Sequence, residues 1–275
     1  PISIHTALER IINGREFTEA ELFYHNGLWA SFMHHGSFSH SDKNVALQMM
    51  NEHLLEAHEQ LKNTTHLIIT FGSSEIYEHD GQVVANCHKL PSRHFTHRLL
   101  SINEITIPYT QLSILNSKLS TIFTISPIRY LGEGAHHGQI NKATLLLAID
   151  QICKETKIDY FPSYEIMMDE LRDYRYYATD MSHPSEVAID YIFERFTETY
   201  LTNEAIRTAE EVKKINAPTL LLWGTMDTEV PVERAYELEK LIKDAGVVTY
   251  EGCTHYAYLE RLEQTIKVLK SFIGG

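Results

Sequence analysis

Short apolar runs rich in β-forming residues alternate with amphipathic helical stretches along this chain, and no other feature constrains its fold as strongly. The pattern predicts strands at HLIITFG (66–72), TIFTISP (121–127), IDYFPS (158–163), PTLLLWG (218–224) and GVVTYEG (246–252). It predicts helices over 42–61, near 95–100, and over 142–157, 184–201, 232–245 and 258–273. Such alternation builds βαβ units. We therefore expect an α/β fold, a three-layer α/β/α sandwich with a mainly parallel, doubly wound sheet.

Composition excludes several classes of function. The chain has 275 residues, with 37 acidic and 24 basic side chains and a formal charge of −13, so nucleic acid and anionic membrane surfaces are not expected partners. None of its apolar runs approaches the ~20 residues of a membrane span. The 16 histidines lack the spacing of a metal motif, and we expect neither a metal nor another cofactor. Three well-separated cysteines fit a reducing compartment, which predicts a cytoplasmic protein. The oligomeric state stays open.

The residues that follow the predicted strands are candidates for chemistry, which is concentrated there in open α/β sheets. These residues are Gly72, Ser73 and Ser74 after the first strand, Ser126 and Arg129 after the second, Thr225 and Asp227 after the fourth, and His255 after the fifth. Among them, we expect Gly72, Ser74, Ser126 and Arg129 to contact substrate or an oxyanion. Asp180 and His183 join them from DMSHP, just before a predicted helix, where they would also suit a helix N-terminus. A histidine held by a carboxylate can activate a hydroxyl. Two such pairs are present, one more than a single triad needs.

Most of the chain resembles one known family. The stretches LFYHNGLW, HHGSFSH, VVANCHKLP, ISPIRY, KATLLLAI, YFPSYEIMMDELRDYRYY and DMSHPSEVAIDYIFERF, within residues 2 to about 196, are similar to the GSCFA family, a branch of the SGNH hydrolases. The resemblance implies that His183 is a general base and that Asp180 orients it. The name-giving Gly-Ser-Cys-Phe-Ala, which carries the family's serine nucleophile, is not in this sequence. The family would place it before Pro1.

The end of the chain resembles a different family. From about 217 to 275, the segment that begins APTLLLWGTMDTEV looks like the C-terminal part of an α/β-hydrolase. That resemblance implies Asp227 as the triad acid and His255 as the triad base. The G-x-S-x-G nucleophile elbow of that family does not occur in the chain. Each part thus brings an acid and a base, and neither brings its own nucleophile.

The two resemblances predict the organisation of the chain. We expect residues 1–201 to form the GSCFA-like body, 202–216 a helical or linker join, and 217–275 the hydrolase-like unit. Without the family's first strands, the sheet of the body would expose unpaired backbone. Our hypothesis is that the two strands of the C-terminal unit fill these places in one sheet, with Gly224 and Thr225 where the family's Gly-Ser would lie. The chain would then be a natural or engineered chimera, or a rearranged relative.

Several residues could supply the nucleophile. Ser73 is the first candidate if His183 is the base, although Ser73 and Ser74 would equally cap a turn through hydroxyl-to-backbone bonds. Thr225 is weaker because a β-branched alcohol is more crowded. Cys253 is also possible, but a thiol beside a buried strand end is more typical of an inert core residue.

Other residues could line a pocket. Asn86 could donate to an oxyanion, with His88 and Lys89 beside it, or the polar groups of this loop could satisfy one another. Arg129 could bind a substrate carboxylate or pair with an acid of the chain. A lid or a simple turn would each explain the HHGSFSH residues His35, Ser37 and Ser39.

Two functions of different class follow from this pattern. In the first, the protein is a serine esterase or acyl hydrolase for a small-molecule ester, with Asp180 and His183 as orienter and base and an open choice of nucleophile. In the second, it is a catalytically silent α/β scaffold whose histidines have nothing to activate. Geometry distinguishes them, since an active site needs a hydroxyl ~3 Å from an imidazole nitrogen.

Overall fold

The computed structural model describes residues 1–115 and 119–274 and forms two compact units, Pro1–Phe193 and Glu194–Gly275. Its strands are β1 (Phe23–His25), β2 (Leu28–Ala30), β3 (His66–Phe71), β4 (Glu75–His79), β5 (Gln82–Val84), β6 (Thr96–Leu99), β7 (Ser120–Ile125), β8 (Asp159–Phe161), β9 (Thr219–Gly224) and β10 (Ala245–Tyr250). Its helices are α1 (Ile2–Asn13), α2 (Lys43–Asn63), α3 (Ile102–Leu115), α4 (Ala135–Glu155), α5 (Ser163–Glu165), α6 (Glu186–Tyr200), α7 (Asn203–Lys213), α8 (Glu233–Leu241), α9 (Ala257–Glu260) and α10 (Leu262–Gly274). The predicted α/β class is confirmed.

The centre of the first unit is a parallel sheet in the order β3-β7-β8. All six residues of β3 pair with β7, from His66 opposite Ser120 to Phe71 opposite Ile125. Phe71, Phe123 and Ile125 are fully buried, and the apolar face of α4 packs into the same core. Because the strands are parallel, the residues that follow Phe71 and Ile125 emerge at one edge of the sheet.

An antiparallel sheet in the order β5-β4-β6 is inserted between β3 and α3. The helix predicted near 95–100 is wrong, because this segment is β6, which pairs with β4 through Ile76 opposite Arg98. Its run of apolar residues is too short to distinguish a helix from a strand by periodicity alone. Helix α4 begins at Ala135, well before the predicted start at 142, after Gly134 adopts a left-handed backbone with φ of 89°.

The second unit contains its own parallel pair. β9 and β10 pair over six residues, from Thr219 opposite Ala245 to Gly224 opposite Tyr250, with α8 as the crossover between them. Among the described residues, β9 and β10 pair only with each other, and β3 pairs only with β7. The hypothesis that the C-terminal strands fill vacant places in the first sheet is therefore wrong.

The physical reason is local connectivity. β9, α8 and β10 follow one another directly in the chain. Pairing β10 with β9 therefore closes a shorter loop, and costs less chain entropy, than pairing either strand with the distant sheet of the first unit. The boundary between the two units lies within α6, earlier than the join expected at 202–216. Residues 203–213 of that join form α7, which begins after the side chain of Thr202 accepts a hydrogen bond from the backbone of Ala205.

Candidate functional site

Asp180 and His183 form a hydrogen-bonded pair in the loop before α6. One carboxylate oxygen of Asp180 accepts the backbone N–H groups of Ser182 and His183, each at 2.9 Å. The other lies 2.5 Å from Nδ1 of His183. The backbone N–H of His183, that of Ser182 and the imidazole together lower the pKa of Asp180 to about 2. An ionised Asp180 draws the ring proton to Nδ1, which leaves Nε2 of a neutral His183 as an acceptor, as a general base requires.

The loop that carries this pair is fixed by its neighbours. The backbone N–H of Ala178 donates to the carbonyl of His183 at 2.8 Å, and that of Arg129 donates to the carbonyl of Ser182 at 3.0 Å. The guanidinium of Arg129 donates to the carbonyl of Met181 at 3.3 Å and lies 5.3 Å from the ring centre of Tyr177. Met181 itself has a left-handed backbone, with φ of 60°. Arg129, expected to bind substrate or pair with an acid, instead holds the loop of the pair.

The pair is open to solvent. The side chain of His183 is 58% exposed and that of Asp180 is 50% exposed. Within residues 1–115 and 119–274, Asp180 is the only group that bonds to the imidazole of His183. The structure therefore brings the predicted base and its orienter together, and none of the described residues places a side-chain hydroxyl against Nε2 of His183.

The serines after β3 are bound to Asn141 instead. Asn141 Oδ1 accepts the backbone N–H of Ser74 at 2.7 Å, and the hydroxyl of Ser74 donates to the Asn141 carbonyl at 3.0 Å. Asn141 Nδ2 donates to the hydroxyl oxygen of Ser73 at 2.7 Å, and the backbone N–H of Glu75 donates to the same oxygen at 2.9 Å. Ser74 is fully buried. Both lone pairs of Ser73 are thus engaged, which is the geometry of a turn cap.

A buried lysine closes the same edge of the sheet. Nζ of Lys142 donates to the carbonyls of Gly72 and Ser126, each at 2.8 Å, so it connects the ends of β3 and β7. The ring centres of Tyr130 and Tyr164 lie 5.1 and 5.2 Å from this ammonium. Burial lowers the pKa of Lys142 to about 8. Gly72 and Ser126, expected to touch substrate, instead use their carbonyls to hold this cation.

Sequence reasoning missed Asn141 and Lys142, although a signal was present. Both are buried in α4, and Lys142 lies on the apolar stripe that continues through Leu145 and Ile149. A lysine on a core stripe requires a polar partner.

Another missed cluster surrounds Glu75, whose carboxylate lies 2.5 Å from Nε2 of His137 and 3.2 Å from Nε2 of His97.

The residues expected to line a pocket do meet. Asn86, His88 and Lys89 line a cleft of about 500 Å³ together with His35 and Ser39 of the HHGSFSH turn. The amide of Asn86 is already used, because Nδ2 donates to the His34 carbonyl at 3.2 Å and Oδ1 accepts the His88 backbone N–H at 2.8 Å. Ser37 donates its backbone N–H to Nδ1 of His35 at 3.2 Å, which caps the short turn Gly36–Phe38.

The second unit contains the other predicted pair. Oδ2 of Asp227 lies 2.9 Å from Nδ1 of His255, and Oδ1 accepts the backbone N–H groups of Glu229 and Val230, each at 2.9 Å. Burial opposes the charge of Asp227, but the hydrogen bonds from Val230, His255 and Glu229 outweigh it and lower the pKa of Asp227. The hydrogen bond to Asp227 raises the pKa of His255.

Close packing surrounds this second pair. A Cβ on Gly224 would lie 2.3 Å from the carbonyl oxygens of both Cys253 and Thr254, so only glycine fits at the end of β9. The hydroxyl oxygen of Thr225 accepts the backbone N–H of Gly252 at 2.9 Å. Cys253 is buried and its thiol lies 3.7 Å from the carbonyl oxygen of Glu251. Neither Thr225 nor Cys253 is hydrogen-bonded to His255 in the described chain.

A metal-binding cluster and a membrane-spanning helix are both absent from the described residues. Residues 1–115 and 119–274 contain no group of three histidine, cysteine, aspartate or glutamate side chains that could hold a metal ion. No helix in the same residues has both the length and the apolar character needed to cross a membrane.

A family model now identifies the larger part of the chain. The model of the GSCFA family matches residues 1–196, which include Asp180 and His183. The chain belongs to the GSCFA family. A second, α/β-hydrolase-type model, described as TAP-like protein, matches residues 199–273. Both predicted resemblances are confirmed.

Curated relatives match only a short segment. Monoacylglycerol lipase ABHD6 of Mus musculus is 33% identical over 66 residues, which are 24% of this chain and 20% of that protein. The 2-hydroxy-6-oxo-6-(2'-aminophenyl)hexa-2,4-dienoic acid hydrolase of Metapseudomonas resinovorans is 32% identical over 94 residues, 28% of this chain and 32% of that protein. The chain thus spans a fifth to a third of the length of these relatives.

Among solved structures, the α/β hydrolase MGS-MChE2 from a lagoon-sediment metagenome is 16% identical, with 77% of this chain and 91% of that chain covered and a TM-score of 0.24. A score this low carries no argument about architecture. The two family models and the curated relatives support a hydrolase-type ancestry.

Proposed function

We propose that the unit Pro1–Phe193 is an acyl (carboxylic-ester) hydrolase in which His183 is the general base and Asp180 orients it. The observation that supports this is the position of the Asp180 carboxylate. Two backbone N–H groups hold one oxygen, and the other lies 2.5 Å from Nδ1 of His183. The backbone therefore fixes the carboxylate, and the carboxylate fixes the ring.

The proton steps follow from this orientation. Nε2 of His183 takes the proton from an attacking hydroxyl as its oxygen bonds to the ester carbon, and the Asp180 carboxylate stabilises the imidazolium. The tetrahedral intermediate then breaks its bond to the leaving oxygen, which receives the same proton from Nε2 and departs as an alcohol. With water as the nucleophile, the products are a carboxylic acid and an alcohol. With a serine or threonine, an acyl-enzyme forms first and water hydrolyses it in a second cycle.

A specific observation favours a second candidate, a catalytically silent scaffold. The hydroxyl oxygen of Ser73 accepts two N–H groups, and that of Thr225 accepts one from the backbone. These hydroxyls stabilise turns in the described structure and do not reach an imidazole. Loss of a triad nucleophile leaves weak residual catalysis from binding and oxyanion contacts alone.

One experiment separates the candidates. The purified chain is treated with a fluorophosphonate probe, which labels activated serine and threonine, and is mapped by mass spectrometry. Hydrolysis of p-nitrophenyl acetate is followed in parallel. Both measurements are repeated for His183→Ala and Ser73→Ala. The matched control is His136→Ala, because His136 is an exposed histidine whose side chain makes no hydrogen bond, ion pair or ring contact in the described structure.

Two outcomes support the hydrolase. An adduct that His183→Ala abolishes identifies a side-chain nucleophile, and if that nucleophile is Ser73, Ser73→Ala abolishes it too. Hydrolysis without an adduct, lost in His183→Ala and kept in His136→Ala, identifies water as the nucleophile. Absence of labelling together with hydrolysis that His183→Ala leaves unchanged overturns the proposal, and a rate no faster than in buffer supports the silent scaffold.

A further inference from the structure

The cleft lined by Asn86, His88 and Lys89 does not include Asp180 or His183 in its lining. It measures about 500 Å³ and is formed by the β1–β2 hairpin, the HHGSFSH turn and the loop after β5. Its residues are Phe23, His25, Asn26, Leu28, Ala30, His35, Gly36, Ser39, Asn86, His88 and Lys89. None of them takes part in the proton steps proposed for His183. This volume is in the range of small-molecule sites.

The polar part of this lining carries no acidic residue. In a chain with 37 acidic and 24 basic side chains, the cleft contains a lysine and three histidines and no aspartate or glutamate. The basic side chains Lys89 and His25 have no hydrogen-bond or ion-pair partner among the described residues. An ammonium without a carboxylate partner beside an acid-free cleft attracts a negatively charged group.

The hydrogen bonds of His35 and His88 determine which ring nitrogen of each remains without a protein partner in the described structure. Nδ1 of His35 accepts the backbone N–H of Ser37, so a neutral His35 carries its proton on Nε2 as a donor. Nε2 of His88 donates to the carbonyl of Ser31 at 2.8 Å, which leaves Nδ1 of His88 without a partner in the described structure. His35 therefore adds a neutral N–H donor to the ammonium of Lys89.

Backbone conformation points to the same cleft. Five non-glycine residues of the described chain have left-handed backbones. Asn26 is one of them because Asn-Gly forms the two-residue turn between β1 and β2, whereas His88 and Lys89, with φ of 48° and 58°, lie in a loop that lines this cleft. Such conformations cost energy and are concentrated at ligand sites, where the surrounding structure maintains them. Phe23, Leu28 and Ala30 provide an apolar wall beside the basic residues.

We propose that this cleft binds a small organic anion, with its carboxylate or phosphate oxygens at Lys89 and His35 and its apolar part against Phe23 and Leu28. The inference does not depend on the proposed hydrolase activity. Carboxylates and phosphates share the oxyanion chemistry that an ammonium and an imidazole N–H recognise.

Calorimetric titration of the full chain tests the proposal, with benzoate and phenyl phosphate as anions, benzyl alcohol as the neutral analogue and benzylammonium as the cation. We expect at least one anion to bind and the neutral and cationic compounds not to bind. Comparison of benzoate with phenyl phosphate shows which oxyanion the cleft prefers. Amide shifts in NMR spectra locate the complex at residues 23–39 and 86–89.

Variants assign the binding to the cleft. Lys89→Gln is expected to weaken anion binding about tenfold or more, because it removes a charge-assisted hydrogen bond. Lys89→Arg keeps the charge and is expected to retain most of the affinity. Lys157→Gln is the matched control, since Lys157 is an exposed lysine outside the cleft and has no partner in the described chain.

Two results would overturn the proposal. One is that neither anion binds, and the other is that binding persists equally in Lys89→Gln. Anion titration of His183→Ala keeps this test separate from the catalytic one, because the variant is expected to bind as the wild type does even if the chain hydrolyses no ester.

Discussion

The two aspartate–histidine pairs share one hydrogen-bond pattern but are built from different lengths of chain. In each, one carboxylate oxygen accepts two backbone N–H groups and the other bonds Nδ1 of the histidine. Asp180 and His183 are three residues apart in one loop, whereas Asp227 and His255 are 28 apart and follow different strands. The first pair is therefore a local structure, and the second exists only while β9 and β10 are paired.

The surroundings of the two pairs also differ. The side chain of Asp227 is 4% exposed, against 50% for Asp180. Glu229 lies 3.9 Å from Nε2 of His255, where a nucleophile would have to approach, whereas Nε2 of His183 has no such neighbour in the described residues. Burial and strand pairing fix the geometry of the Asp227–His255 pair. In the Asp180–His183 pair, the open Nε2 of His183 leaves room for a nucleophile to approach. This difference is why we propose His183, and not His255, as the base.

The largest predicted effect on stability is that of a substitution at the end of β9, where the Asp227–His255 pair depends on the pairing of β9 with β10. Gly224→Ala places a Cβ against two carbonyl oxygens at 2.3 Å, so we expect the second unit to lose about 3 kcal/mol or more of unfolding free energy. Urea unfolding in a Trp29→Phe background checks this, because Trp223 of β9 then remains as the only tryptophan.

Gly246→Ala in β10 is the matched control for Gly224→Ala. A Cβ on Gly246 meets nothing within 4 Å, and its φ is not in the left-handed region. It should change the unfolding free energy by no more than ~0.5 kcal/mol. Equal effects of the two substitutions would show that close packing does not determine the position of the second pair.

A smaller effect on stability is expected from Lys142, whose ammonium bonds the carbonyls at the ends of β3 and β7. Burial lowers the pKa of Lys142 to about 8 from 10.5, so between these values the unfolded chain binds more protons and the stability of the folded unit rises with pH. Relative to Lys142→Met, the wild type should gain about 3 kcal/mol from pH 7.5 to 10.5.

Urea unfolding at several pH values, followed through Trp29 in a Trp223→Phe background, measures this gain for the first unit. Subtracting the unfolding free energy of Lys142→Met from that of the wild type at each pH removes the contributions of the titratable groups that both proteins share. Lys157→Met serves as the control, because Lys157 is exposed and has no ion-pair partner in the described chain. A difference for Lys142→Met that changes with pH no more than that of the control would contradict a buried ammonium at the ends of β3 and β7.

The smallest expected effect concerns the titration of His255. Asp227→Asn should lower the pKa of His255, because the hydrogen bond to Asp227 raises it, and Glu229→Gln should lower it less. A raised pKa contributes stability that is present below the unfolded pKa and is lost as pH rises through the folded value. NMR titration of the His255 ring protons measures both variants. A larger shift in Glu229→Gln would show that the ion pair, and not the Asp227 bond, governs the ring.

Periodicity and chain order predicted much of this structure. The apolar runs at 66–72, 121–127 and 218–224 became strands, and spacing within DMSHP placed His183 three residues after Asp180. Local pattern predicts such features because the residue composition of a strand and the spacing of the Asp180–His183 pair are both contained within a few residues. Pairing between distant segments was not predictable in the same way, so the C-terminal strands were assigned to the wrong sheet.

The serines show the same limit at the scale of a site. Ser73 and Ser74 follow a buried strand in the sequence, as a nucleophile could. What determines their role is Asn141, which lies 67 residues from Ser74 and bonds to both serines. Lys142, next to Asn141 in α4, could be recognised in the sequence as a lysine on an apolar stripe. Its carbonyl partners, Gly72 and Ser126, belong to two other segments and could not be identified from that pattern. Contacts of this kind appear only once the strands are placed side by side.

The most direct test of the account compares ester hydrolysis by Asp180→Asn and Asp227→Asn. An asparagine amide donates to Nδ1 and so moves the ring proton to Nε2, which removes the base without removing the histidine. We predict that kcat/KM for p-nitrophenyl acetate falls 10²-fold or more in Asp180→Asn and stays within about twofold in Asp227→Asn. A loss in Asp227→Asn with full activity in Asp180→Asn would contradict the assignment of His183 as the base.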